Sequence, residues 1–115
     1  MSTEQRVVYD ADQYLGHVML DGHHTTFCNV GLEEAAVWPK ALEALGASRE
    51  LELLKEALEL WTVNGCPGHF EANETTDAID AIDQRFFDAM RADNNLEART
   101  KKYVFEHREC FINLE

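Results

Sequence analysis

The sequence predicts an all-α protein, a compact single-domain bundle of about five helices. Three observations carry that prediction. Apolar residues recur at spacings of three and four through most of the chain, no segment sustains a two-residue alternation, and capping or glycine stop residues stand near the ends of the periodic stretches. With 115 residues and 45% hydrophobic content, the chain has the length of one domain and enough apolar material for one core, so residues 1–115 are expected to form a single unit.

The first helix is expected over Asp12 to Leu20, with Asp10 or Asp12 capping it, Tyr14, Leu15, Val18 and Met19 inward, and Asp21-Gly22 ending it. A short connection then runs from His23 to Gly31. Leu32 to Leu45 reads as helical, but Pro39 lacks a donor and has to sit in a first turn or break the helix. Trp38 and Leu42 share a face there. Gly46 stops the segment, and Ser48 is positioned to cap the next helix, where Leu51, Leu54, Leu58 and Trp61 recur at three, four and three.

Asn64-Gly65 and Pro67-Gly68 mark Thr62 to Asn73 as an exposed loop. Thr75 or Thr76 is expected to cap the following helix. Its buried stripe is Ile79, Ile82, Phe86 and Met90, with Asp77, Asp80, Asp83 and Asp88 facing water. The last helix starts at Asn94 with Glu97 three residues on and turns Leu96, Tyr103 and Val104 inward, and Phe111 and Ile112 pack as a tail. Trp38, Trp61, Phe86 and Phe87 at helical spacing read as core rather than as a ligand cage.

Charge narrows the function. Twenty-two acidic against ten basic residues give a formal charge of −12, which repels phosphate backbones and anionic lipid, so direct nucleic-acid or membrane binding is not expected. No apolar run approaches the roughly 20 residues that cross a bilayer, and Met1 to Arg6 lacks the pattern of a signal peptide, so a cytoplasmic location is expected. Three widely spaced cysteines read as reduced thiols.

The carboxylates are unevenly placed. From Glu56 to Asp83 the chain carries Glu56, Glu59, Glu71, Glu74, Asp77, Asp80 and Asp83 and no Lys or Arg. The helix dipole accounts for carboxylates in a first turn, whereas a row of like charges at spacings of three and four costs stability. Helical spacing sets such charges roughly 5 to 6 Å apart at their bases, close enough to a phosphate strand to occupy the Arg and Lys of a DNA-binding protein. These seven residues are the candidate partner-binding set.

The order of features resembles a family of small acidic helical proteins related to a neisserial DNA-mimic protein. That family follows a helix with Asn-Gly-Gly-Phe-x-Gln-Tyr-Phe-x-Asn, and here Leu20-Asp21-Gly22-His23-His24-Thr25-Thr26-Phe27-Cys28-Asn29 keeps Gly22, Phe27 and Asn29. Lys40 to Ala47, Leu53 to Trp61 and Asp80 to Phe87 follow the family's order and spacing, and the similarity covers about residues 12–112. The resemblance implies an all-helical fold, often dimeric, with no catalytic activity, and in the family's namesake an acidic face that engages a transcription factor.

Two other readings stay open. An immunity or antitoxin protein blocking a basic toxin nuclease needs the same electrostatics. A zinc- or cysteine-dependent enzyme would draw on Cys66-Pro67-Gly68-His69, His107-Arg108-Glu109-Cys110, His23, His24 and Cys28, without a standard ligand spacing. His23 and His24 are expected to be exposed turn residues. No phosphate loop, nucleophile elbow or His-Glu-x-x-His pair is present, and no cofactor or metal is expected.

Overall fold

Ser2 starts the first helix. Its hydroxyl accepts from Gln5 N–H at 3.1 Å, and the Gln5 amide oxygen accepts from Ser2 N–H at 3.0 Å, a reciprocal box that opens α1, Thr3–Val30. The helix thus begins nine residues before the expected Asp12. Asp10 caps nothing; it lies within the helix, buried, and pairs with Arg6 at 3.2 Å. Met19 is exposed, because Val7, Ala11, Tyr14 and Val18 form the inward stripe and position 19 falls off it.

The structure is a computed structural model and describes residues 1–68 and 73–111. Gly22 breaks α1 as expected, with φ +80 and ψ 171, yet His23 to Val30 resumes as helix instead of forming a connection. His23 and His24 are buried, so the expectation of exposed turn residues is wrong.

Gly31 separates α1 from the single turn α2, Leu32–Ala35. Helix α3, Trp38–Ala44, carries Pro39 at its second position, where a missing donor costs nothing. Gly46, at φ +70, closes α3: its N–H reaches Glu43 O at 3.0 Å while Ala47 N–H reaches Leu42 O at 3.0 Å. Helix α4, Ser48–Val63, follows at once with Ala47 at the cap position, so Ser48 is its first residue and not its cap.

Asn73, rather than Thr75 or Thr76, caps α5, Glu74–Met90. Its side chain accepts from Thr75 N–H and Thr76 N–H, and Thr76 Oγ1 accepts from Asn73 N–H in return. Asn95 caps α6, Leu96–Glu106, one residue later than expected. A 3₁₀ turn spans Arg108–Cys110, Phe111 is half-buried, and Ile112 lies outside the described residues.

Helices α1, α3, α4 and α5, with the start of α6, surround one core. Tyr14, Phe27, Trp38, Leu42, Leu54, Ile79, Phe86 and Leu96 are fully buried in it, and the aromatic set reads as core, with Tyr14 against Trp38 and Phe86 and Phe27 against Trp61. The described residues contain no strand.

Candidate protein-binding face and its buried support

The carboxylate-rich stretch maps onto α4, the start of α5 and the connection between them. Glu56, Glu59, Glu74, Asp77 and Asp80 are exposed; Glu71 lies outside the described residues. Glu59 and Glu56 border a shallow depression of about 210 Å³ with Leu60, Val63 and Asn64, and Val63 is 76% exposed, so an apolar spot sits among the acids. Glu56 is partly neutralised by Arg85 at 3.1 Å. Such an exposed pair contributes little, about 0–1 kcal/mol, and opens readily to a competing cation.

Like charge acts within the row. Partial burial, reinforced by Asp83 and Asp77, raises the Asp80 carboxyl above its ordinary range, with His24 opposing. Repulsion of this kind is relieved by a cationic partner.

Asp83 does not belong to the exposed set. Four residues after Ile79 and three before Phe86, it falls on the buried stripe and turns inward. Its Oδ1 accepts from His23 N–H at 2.9 Å and lies 2.6 Å from His23 Nδ1, and His23 Nε2 is 2.7 Å from the Tyr14 hydroxyl. In the neutral imidazole, Nδ1–H donates to Asp83 and Nε2 accepts from Tyr14 O–H. His23 is 0% exposed and ringed by Tyr14, Phe27 and Phe86.

Gly22 makes this arrangement fit. A Cβ there would stand 2.5 Å from Asp83 Oδ2, and the positive φ strains any side chain. The chain Tyr14–His23–Asp83 therefore ties the kink of α1 to α5, directly beneath the acidic row. Sequence reasoning missed it, although the position of Asp83 on an apolar stripe was the available signal.

Burial, with the nearby Glu50 and Asp83 carboxylates, holds the Tyr14 phenol well above its ordinary pKa of 10.0. Tyr14 is thus a neutral donor. His23 has both ring nitrogens engaged, and no group of three or more His, Cys, Asp or Glu among the described residues converges closely enough to hold a metal.

The chain folds into an all-helical core under a carboxylate-rich face, and the profile of the DMP19-like protein family matches residues 1–107. The chain belongs to the DMP19-like protein family. That family is one of DNA mimics. The match begins at Met1, eleven residues before the expected start of similarity, in keeping with the early start of α1. No curated protein and no solved structure matches the chain. Within this DMP19-like chain two of the three retained motif residues are structural, Gly22 at the kink and Phe27 in the core, and His23, which stands where the motif has Phe, faces Asp83.

Proposed function

We propose that this DMP19-like chain is a non-enzymatic DNA mimic that captures a basic DNA-binding protein. The face is formed by Glu56, Glu59, Glu74, Asp77 and Asp80, and Asp83 acts from beneath by fixing α5. The observation that carries the reading is the run from Glu56 to Asp80 without a single Lys or Arg, its described acids exposed on α4 and α5. Carboxylates held on helices offer a guanidinium or ammonium the acceptors that phosphates offer. The neisserial protein named in the resemblance engages a transcription factor through such a face, and a transcription factor is the partner class proposed here.

The test is capture from the source cell at low salt by the native chain and by a Glu59→Lys/Asp77→Lys/Asp80→Lys variant. The native chain is expected to retain a DNA-binding protein that duplex DNA displaces, and the variant to lose it. Equal retention by both, or a captured protein indifferent to DNA, would overturn the proposal.

A further inference from the structure

Glu59, Leu60 and Val63 follow Glu56 at intervals of three, four and seven, so the four side chains share one outer face of α4. With Asn64 they line the notch of about 210 Å³, where the two carboxylates are the only charged groups. Val63 is 76% exposed, and Leu60 is half-buried and packs against the core. Arg85 answers Glu56, and Glu59 has no ion pair among the described residues. A single exposed aliphatic side chain is ordinary on a protein surface. Here it stands beside a second one, in a concavity edged by acid.

The backbone under the notch is fixed. Helix α4 ends in a Schellman motif in which Gly65, at φ +83, donates to Thr62 O at 3.1 Å and Cys66 N–H donates to Trp61 O at 2.8 Å. The Asn64 amide donates to Leu60 O at 2.8 Å. Val63 is β-branched and strongly prefers one χ1 rotamer in a helix, so covering it costs little side-chain entropy. The apolar spot is therefore in place before a partner arrives.

DNA presents a DNA-binding protein with the same mixture. Its phosphates meet Arg and Lys, and the thymine methyl in the major groove meets an apolar side chain standing among them. Carboxylates alone copy only the phosphates. A second copy of this chain, also at a formal charge of −12, would set carboxylate against carboxylate, whereas an apolar side chain flanked by cations suits both parts of the notch.

We propose that Val63, with Leu60, takes the place of a thymine methyl: an aliphatic side chain standing among the Arg and Lys of a DNA-reading helix docks in this notch while its flanking cations meet Glu59 and Glu56. This rests on the DNA-mimic function proposed above and adds a determinant of specificity to it. Attraction to the acidic row is common to all basic proteins, and the notch retains those that carry an apolar group among their cations.

The test titrates the full chain, at about 0.05 M salt, with a pair of synthetic helical peptides rich in Lys and Arg that differ only in a central Leu or Gln. The native chain is expected to bind the Leu peptide about fivefold to tenfold more tightly than the Gln peptide. Val63→Asn, which leaves the charge unchanged, is expected to abolish that preference while keeping the native affinity for the Gln peptide and the native midpoint of urea unfolding, and Val63→Ile is expected to retain the preference. Equal binding of both peptides by the native chain, or a preference that survives Val63→Asn, would overturn the notch and leave the acidic row standing. Failure of both peptides to bind the native chain would overturn the row as well. Self-association of the native chain that Val63→Asn abolishes would assign the notch to a second copy and overturn the proposal.

Discussion

His23 and Asp83 are the residues on which the interior depends most. Removing the carboxylate in Asp83→Ala leaves the His23 N–H and Nδ1–H without their acceptor inside an aromatic ring of neighbours. A cost of about 3–5 kcal/mol is expected in urea unfolding, whereas Asp83→Asn keeps an acceptor oxygen and should cost less than half of that. Gly22→Ala is expected to cost at least about 2 kcal/mol, from its positive φ and from the Cβ driven into Asp83 Oδ2. If Asp83→Ala and Asp83→Asn unfold at the same urea concentration, the acceptor role is wrong. Tyr14 adds a pH signature. Its folded pKa lies above the ordinary 10.0, so the folded state keeps a proton that the unfolded state gives up. Stability from this group is fully present below pH 10.0 and falls as pH rises beyond it, with a slope approaching roughly 1.4 kcal/mol per pH unit. Tyr14→Phe should remove that slope, as measured by urea unfolding over alkaline pH.

Among the elements, α4, α5 and α6 were legible because their apolar residues repeat at three and four over long stretches. The second part of α1 was not. His23, His24, Thr25 and Thr26 are weak helix formers after a glycine, and the segment is helical because His23, Thr26 and Phe27 bury against other elements, a tertiary cause that local pattern does not carry. Caps were less legible than helices. Ser48 stands one residue after Ala47, which offers no side-chain cap, Thr75 two after Asn73 and Asn94 one before Asn95, and at the last of these only hydrogen-bond geometry separates neighbours of the same chemistry. The cap that matters for the face is Asn73, which satisfies Thr75 N–H and Thr76 N–H at 2.9 and 3.1 Å. Asn73→Ala is expected to lower stability by about 1 kcal/mol and to raise amide exchange through Glu74 to Asp77, where the proposed face begins on α5. Unchanged exchange in that turn would show that tertiary contacts, not the cap, hold it.

At the scale of the whole molecule, the net charge of −12 was readable at once, and so was its concentration between Glu56 and Asp83. Which of those carboxylates reach solvent was masked by a conflict of patterns, because Asp83 follows the same spacing of three as Asp77 and Asp80 yet also falls on the Ile79–Phe86 stripe and lies on the buried side. Under the function proposed above, the exposed remainder is what a basic partner meets. Charges spread over two helices act on an approaching partner before contact, and salt shortens that reach to about 8 Å at 0.15 M. Association should therefore carry most of the salt dependence. With the captured DNA-binding protein in hand, its association rate is expected to fall by at least about tenfold between roughly 0.05 and 0.5 M salt, and its dissociation rate to change much less. The Glu59→Lys/Asp77→Lys/Asp80→Lys variant should lose most of that dependence, whereas Glu33→Lys/Glu34→Lys on α2 changes two charges outside the row and should leave most of it. Equal loss in both variants would mean that the partner responds to total charge and not to the row on α4 and α5.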